Sequence, residues 1–223
     1  MPNLAIVGYG KMGRLIDKLA PDYGFTVTAR VDIDRDEPLA GAHVAVEFSV
    51  PSAVLGNIRK VAAAGVPIVV GTTGWGEHLA EAKSVIEASN SALIWSPNFS
   101  VGVNVFTRLV AEAARLLKNE KEYGAWAWEI HHITKKDAPS GTLLKLVEQM
   151  KAAGFGRAID ISSNRAGAHP GTHEIGFDSA ADTITLRHTA RSREGFARGA
   201  LKAAQWIIGR QGFYEFSNVL FGG

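Results

Sequence analysis

Apolar and polar positions alternate in blocks along the first hundred residues. Five short and almost wholly apolar runs predict strands: Leu4–Val7, Val27–Val31, Val44–Phe48, Ile68–Val70 and Leu93–Trp95. Three stretches between them predict helices: Lys11–Ala20, Ser52–Ala64 and Trp75–Ser89. Apolar strands that alternate with helices are typical of a parallel sheet covered on both faces, so this part predicts a doubly wound α/β domain. Ligands of such sheets bind beyond the carboxyl ends of the strands.

The pattern becomes irregular after Ser100. It predicts an amphipathic helix, a long strand, a second helix and two strands of alternating polarity: Val103–Leu117, Glu122–Ile133, Leu143–Ala153, His173–Phe177 and Thr183–His188. Because helices and strands no longer alternate, we predict a separate α+β domain. A last helix, Phe196–Ile208, could close either domain.

The composition of the chain argues against several kinds of partner and of chemistry. The chain has 223 residues, no cysteine and a net charge of +2. The small charge and the absence of a basic block predict neither nucleic acid nor an acidic membrane surface as a partner. Without cysteine there are no disulfides and no thiolate catalysis, which fits a reducing compartment. The N-terminus shows no basic leader before its first apolar run, so we predict no secretory signal and a cytoplasmic protein.

A glycine-rich turn, Gly8-Tyr9-Gly10-Lys11-Met12-Gly13, follows the first predicted strand and opens the first helix. This context is typical of dinucleotide binding, in which the glycines allow a tight turn and close approach to a pyrophosphate. Asp32 ends the next strand about 20 residues later, where a carboxylate binds the ribose of NAD. Arg30 and Arg35 lie close enough to accept the phosphate of NADP, so dual use stays open. The alternative is a tight turn without a ligand.

A second segment, Glu129 to Thr142, concentrates proton donors, cations and backbone donors. His131 and His132 would face opposite sides of an extended strand, so either the strand ends there or the two histidines do different work. An imidazole is the usual general acid near neutral pH, and Lys135 adds a positive charge. Ser140-Gly141-Thr142 opens the next helix, where backbone N–H groups bind anions. The segment therefore predicts a carboxylate clamp beside an acid, and no metal site.

Together these motifs resemble the bacterial 4-hydroxy-tetrahydrodipicolinate (dihydrodipicolinate) reductase family over essentially the whole chain. The most specific match is His131-His132-x-x-Lys135-x-Asp137-Ala138-Pro139-Ser140-Gly141-Thr142. Further matches are Gly71-Thr72-Thr73-Gly74, Pro97 to Asn104, Arg165-Ala166-Gly167, Gly171-Thr172-His173 and His188 to Arg193. One departure is Ile33, which follows Asp32 where some NADP-accepting members carry arginine.

The resemblance implies a Rossmann-like, doubly wound parallel sheet domain, 1–101 with 194–223, and a smaller α+β domain with an open mixed sheet, 102–193. It implies a cytoplasmic homotetramer that reduces 4-hydroxy-tetrahydrodipicolinate with NADH or NADPH in lysine and diaminopimelate biosynthesis. His131 would donate the proton and Lys135 would assist it and bind substrate. The other implied substrate contacts are His132, Ser140, Gly141 and Thr142.

The same resemblance implies a set of cofactor contacts at the strand ends: Gly8, Tyr9, Gly10, Lys11, Met12, Asp32, Gly71, Thr72, Thr73, Ser96, Pro97, Asn98 and Phe99.

Two other functions stay open. One is a two-domain dehydrogenase of another amino acid or of a sugar, which the glycine-rich turn permits. The other is a redox sensor that binds NADH without turnover, for which the proton-donating segment would have no purpose.

Overall fold

Eleven strands and seven α-helices form in residues 1–222, the part of the chain that the computed structural model describes. The strands are β1 Asn3–Val7, β2 Thr26–Asp32, β3 Arg35–Asp36, β4 Val44–Glu47, β5 Ile68–Val70, β6 Ala92–Trp95, β7 Gly124–His131, β8 Ile159–Arg165, β9 Thr172–Asp178, β10 Thr183–Thr189 and β11 Gly212–Glu215. The helices are α1 Lys11–Leu19, α2 Pro51–Ala63, α3 Leu79–Ala88, α4 Val101–Leu117, α5 Gly141–Ala152, α6 Glu194–Ile207 and α7 Phe216–Leu220.

The chain divides into two units. The first runs from Met1 to Val101 and resumes at Glu194, and the second is Gly102–Arg193. The last long helix therefore belongs to the first unit, a question that its apolar spacing alone left open. No helix of the described residues is long and apolar enough to cross a membrane.

In the first unit, seven strands form one sheet in the order β11-β6-β5-β4-β1-β2-β3. All neighbours are parallel except β2 and β3, which pair antiparallel. The chain runs from β1 to β2 on one side and later returns to β4 on the other. The strand order thus reverses between β1 and β4, the position at which open α/β sheets bind ligands.

Helices cover both faces of this sheet because each strand sends alternate side chains to opposite sides. Leu4 and Ile6 of β1 pack with α1 and α6 on one face. Ala5 and Val7 pack with α2 and α3 on the other. Such two-sided burial explains why the strands are apolar throughout, and it confirms the predicted doubly wound α/β fold.

The second unit has a four-stranded mixed sheet in the order β10-β9-β7-β8. β7 pairs parallel with β8 and antiparallel with β9, which pairs antiparallel with β10. α4 and α5 bury their apolar sides in one cluster with this sheet, through Phe106 and Val110 of α4 and Leu143 and Leu146 of α5. The predicted smaller domain with an open mixed sheet is thereby confirmed.

Some elements differ from the sequence prediction. The helix predicted over Trp75–Ser89 begins later, with a 3-10 turn at Gly76–His78 before α3. Trp75 is instead buried, and its indole N–H donates to the carbonyl of Thr72 at 2.8 Å. Three strands were not predicted: β3, β8 and β11. β8 has the sequence IDISSNR and three exposed residues in a row, so it shows no clear alternation.

Candidate active site

The glycine-rich turn connects β1 to α1 at the reversal of strand order. Gly8 has φ +90°, and a Cβ there would lie 2.2 Å from the carbonyl oxygen of Phe48. A Cβ on Gly13 would lie 2.2 Å from the carbonyl oxygen of Gly8, so this glycine lets α1 approach the strand. At Gly10, by contrast, no heavy atom of residues 1–222 beyond its own chain neighbours would lie within 4 Å of a Cβ. Packing within the described chain therefore does not require Gly10 to be glycine, as expected where a ligand approaches the backbone.

Asp32 lies at the end of β2 beside this turn. Its Oδ2 accepts the backbone N–H of Tyr9 at 2.9 Å, and its Oδ1 accepts that of Ile33 at 2.9 Å. Gly8, Gly10 and Asp32 line a cavity of about 480 Å³, together with residues that follow β4. The size lies within the range of small-molecule pockets.

The two arginines that left the choice of cofactor open are both engaged by carboxylates. Arg30 donates to both oxygens of Asp17, at 2.7 and 2.9 Å. Arg35 donates to Glu37 at 2.7 Å. Hydrogen bonding to Asp17 raises the already high pKa of Arg30. Both guanidinium groups are thus paired with carboxylates, and Asp32 lines the cavity.

Other predicted cofactor residues lie at the ends of β5 and β6. Thr72, Thr73 and Pro97 line a smaller cavity of about 160 Å³. Thr72 is buried, and its Oγ1 accepts the N–H of Ser49 at 2.7 Å. Ser96 fixes the following turn, since its Oγ donates to the carbonyl of Asn98 at 2.8 Å.

The positions of four predicted cofactor residues are explained mainly by packing in the core or by their place in helix α1. The ring of Phe99 is buried, with its centroid 4.9 Å from that of Phe216, so it packs in the core. Met12 packs against the same cluster, and Lys11 is an exposed residue in the first turn of α1. A Cβ on Gly71 would lie 2.2 Å from the Phe48 ring, which explains this glycine by packing.

In the second unit, β7 ends at His131. The backbone carbonyl of His131 accepts the N–H of Ala166 at 2.9 Å, and its side chain is buried. His132 lies beyond the strand, and its Nδ1 is 2.7 Å from Thr134 Oγ1. The strand thus ends between the two histidines and places them in different surroundings.

Glu129, to which the sequence pattern assigned no role, lies among the polar residues around His131. It is wholly buried on β7, two positions before His131, so both side chains face the same side of the sheet. Its Oε1 accepts hydrogen bonds from Ser140 N at 2.8 Å, Arg165 Nη2 at 2.9 Å and Ser163 Oγ at 3.1 Å. Its Oε2 accepts the hydroxyl of Ser140. The i, i+2 spacing was the sequence signal that could have identified it.

Both histidines of this face meet the same carboxylate. Oε2 of Glu129 lies 3.5 Å from Nδ1 of His131 and 3.4 Å from Nε2 of His173. Burial raises the pKa of Glu129, but hydrogen bonds from Ser140 and Arg165 outweigh it and hold this pKa below its ordinary value. The carboxylate is therefore ionised at neutral pH.

The histidines themselves are shifted toward the neutral form. Burial lowers the pKa of His131, Glu129 opposes this, and Lys135 and Arg165 add to the lowering. Burial and the neighbouring His131 lower the pKa of His173 to about 4. His173 is thus neutral at physiological pH, and His131 needs an additional negative charge to become a well-populated acid.

The turn between β7 and α5 holds the carboxylate of one of its own residues, Asp137. Lys135 Nζ donates to Asp137 Oδ1 at 2.7 Å. This hydrogen bond lowers the pKa of Asp137, and the backbone N–H of Gly141 contributes to the lowering. Lys135 and the backbone N–H of Gly141 therefore hold a carboxylate of this chain itself, and the carboxylate clamp for a ligand stays a prediction.

Ser140 differs from the two residues after it. Its N–H and its hydroxyl both donate to Glu129, and its Oγ accepts Leu143 N at 3.2 Å as the N-cap of α5. Both polar groups of Ser140 thus serve to hold the turn. Gly141 and Thr142, in the first turn of α5, offer their backbone N–H groups instead.

Glu129, His131 and His173 could in geometry hold a metal ion, since one ligand atom from each lies within 4.8 Å of the others. Pairing of β7 with β9 places the Glu129 carboxylate opposite His173, a juxtaposition that spacing along the chain does not show. Arg165 Nη2 lies 2.9 Å from the same carboxylate, and a fixed cation there disfavours a second one. We therefore assign no metal, and its absence stays a prediction.

Both parts of the chain match family models of known proteins. Residues 2–99 match the family model "Dihydrodipicolinate reductase, N-terminus", and residues 102–220 match "Dihydrodipicolinate reductase, C-terminus". A 4-hydroxy-tetrahydrodipicolinate reductase of Christiangramia forsetii is 35% identical over 98% of this chain and 97% of its own. That of Archaeoglobus fulgidus is 34% identical over 95% of this chain and 96% of its own.

A solved structure has the same fold. The dipicolinate-bound dihydrodipicolinate reductase from Paenisporosarcina sp. TG-14 superposes with a TM-score of 0.83, covering 98% of this chain and 99% of that one, at 21% identity.

Proposed function

The chain belongs to the dihydrodipicolinate reductase family, and we propose how its residues divide the work of that reaction. It reduces 4-hydroxy-tetrahydrodipicolinate to tetrahydrodipicolinate with NADH or NADPH, a step of lysine and diaminopimelate biosynthesis. The first unit binds the dinucleotide and the second binds the dicarboxylate. A cytoplasmic homotetramer is part of the proposal, as the family resemblance implies.

The cofactor is held by the carboxyl ends of β1, β2 and β4. Backbone N–H groups after Gly10, at the start of α1, face the pyrophosphate, and Asp32 accepts hydrogen bonds from the ribose. Support comes from the cavity that Gly8, Gly10 and Asp32 line and from the open space beside Gly10. When bound, reduced nicotinamide supplies the hydride. The turns 71–73 and 96–99 complete the proposed site.

The substrate is held through one of its carboxylates. Lys135 and the backbone of Gly141 bind that group in place of the Asp137 carboxylate, with Thr142 as a further backbone donor and His132 as a side-chain donor. Ser140 contributes by fixing the turn through Glu129. Fixed donors of this kind orient the ring and stabilise charge that moves through it during reduction.

His131 donates the proton to the electron-rich site that remains after hydride arrives. The observation that carries this assignment is a buried imidazole whose Nδ1 faces an ionised carboxylate and whose charge is sensitive to Lys135 and Asp137. A bound diacid adds negative charge near this ring and so favours its protonated form. Lys135 supports the step by neutralising the substrate carboxylate.

One assay tests the activity. Freshly generated substrate is added to the full-length protein with NADH or with NADPH, and oxidation of the cofactor is followed. Aspartate, other amino acids and sugars serve as competing substrates in parallel. Turnover confined to one of these alternatives would reject the proposal, and tight NADH binding with no turnover on any substrate would favour a sensor.

A further inference from the structure

We propose that Glu129 is a positioning residue that holds His131 in a single tautomer and keeps its imidazole able to take up a proton. The inference rests on the proposed role of His131 as the acid, and it adds a residue that neither the motif nor the comparisons assign. It concerns the orientation and charge of the ring, since Glu129 itself is wholly buried.

Three hydrogen-bond donors fix one oxygen of the Glu129 carboxylate. Ser163 and Arg165 of β8 donate to Oε1 at 3.1 and 2.9 Å, and the N–H of Ser140 donates to the same oxygen at 2.8 Å. These donors leave Oε2 directed at the two imidazoles and at the Ser140 hydroxyl. A carboxylate held this firmly can orient a neighbouring ring without a large entropic cost.

The tautomer of His131 follows from this arrangement. Nδ1 of His131 is buried and makes no hydrogen bond in residues 1–222, but it lies 3.5 Å from an ionised acceptor. A hydrogen on Nδ1 is attracted to Glu129, whereas a lone pair there would be repelled. Nε2 is then the nitrogen left to act on substrate, as in other histidines that are oriented by a carboxylate.

Gly171 leaves room on the Nε2 side of the ring. A Cβ on this residue would lie 2.9 Å from Nε2 of His131, and its φ of +139° favours glycine in any case. A side chain at residue 171 would therefore crowd Nε2 of His131, and glycine avoids this contact.

His173 does not compete with His131 as a second cation beside Glu129, and its Nε2 also lies 3.2 Å from Ser140 Oγ. His173 of β9 faces the same oxygen, but its pKa of about 4 keeps it neutral at physiological pH. The other charged groups that act on His131 are Arg165 of β8 and Lys135 and Asp137 of the turn. Of these, Lys135 and Arg165 oppose protonation, so the nearby Glu129 is the main group that offsets them.

The test uses Glu129→Gln, which keeps the size of the side chain and removes its charge. Ser163→Ala is the matched control, because it removes one hydrogen bond to the same carboxylate and leaves the charge. Imidazole nitrogen NMR of the full-length protein reports the tautomer and titration of His131, with His131→Gln assigning its signals. The pH profile of kcat/KM is measured on the same samples.

We expect the wild type and Ser163→Ala to show the Nδ1–H tautomer. In Glu129→Gln this preference should be lost, His131 should titrate at lower pH, and kcat/KM should fall on the order of 10²-fold at neutral pH. The deficit should shrink as pH falls, which a purely structural defect would not do. Glu129→Asp keeps the charge; if the glutamine variant does not fold, it should show a smaller shift in the same direction.

An unchanged tautomer and titration of His131 in a folded Glu129 variant would overturn the inference. If both change while the pH profile of kcat/KM stays that of the wild type, the positioning role stands. In that case the role of His131 as the acid fails, so the two proposals are separated by the same samples.

Discussion

Glu129 of β7 lies directly opposite His173 of β9, with Oε2 of the glutamate 3.4 Å from Nε2 of the imidazole. The centroids of the His131 and His173 rings are 5.0 Å apart at an interplanar angle of 70°. One carboxylate thus faces a histidine that stays neutral and another that is proposed to carry the proton. The sheet register, rather than proximity along the chain, creates this arrangement.

The lowered pKa of His131 predicts a particular pH dependence. The acid must be protonated to react, so kcat/KM of the free enzyme should fall as pH rises, with its midpoint below 6.5, the ordinary value for histidine. Bound diacid raises the pKa, so the midpoint in kcat should lie at higher pH. Initial rates across pH, at low and at saturating substrate, measure both; identical midpoints would contradict the assignment.

Two glycines of the same turn should respond differently to alanine. Gly13→Ala places a Cβ 2.2 Å from a backbone oxygen, and we expect a loss of about 1–3 kcal/mol in stability. Gly10→Ala meets no heavy atom within 4 Å in residues 1–222 beyond its chain neighbours, so its thermal unfolding should match the wild type while NADH affinity falls about tenfold. Calorimetry and fluorescence titration measure the two effects. Full NADH affinity in Gly10→Ala would place the pyrophosphate elsewhere.

Asp32 should set the preference for NADH. With Arg30 and Arg35 held by Asp17 and Glu37, the wild type should use NADH better than NADPH. Asp32→Ala should lower kcat/KM for NADH and shrink the ratio between the two cofactors, because a carboxylate that repels a 2′-phosphate is lost. Asp34→Ala, at an exposed neighbour, is the control. A ratio unaltered by the loss of Asp32 would remove this residue from the ribose site.

Lys135 and Lys136 offer a matched pair of adjacent lysines. Lys135→Ala should raise KM for the diacid about tenfold to a hundredfold, since a charge-assisted hydrogen bond is worth about 1.5–3 kcal/mol. A lower kcat should accompany it. Lys136 is exposed, and its alanine variant should behave as the wild type. Equal effects of the two substitutions would point to a general electrostatic role instead of a contact.

Much of the first unit could be predicted because its strands are buried on both faces and its glycines have local geometric causes. Asp32 was found from its spacing to Gly13, and its contact with the Tyr9 N–H agrees with that position. Phe99, by contrast, matches a family position, yet its ring belongs to the core beside Phe216. Position along a motif does not reveal which atoms of a residue face a ligand.

The second unit was harder to predict because its site depends on pairing between distant strands. β8 has no clear alternation, so the partner that brings Ser163 and Arg165 to Glu129 was missed. The position of Ser140 at the start of a helix was predicted, but the burial of its hydroxyl against Glu129 was not. The register between distant strands therefore determines which polar groups of this segment hold the turn.

The most direct test is the turnover number of His131→Gln with freshly generated substrate and NADH. We expect kcat to fall by about 10²–10⁴, the usual contribution of a general acid, while NADH binding to the first unit stays unchanged. Lys136→Ala, assayed in parallel, should retain full turnover. Turnover of His131→Gln close to that of the wild type would contradict the account.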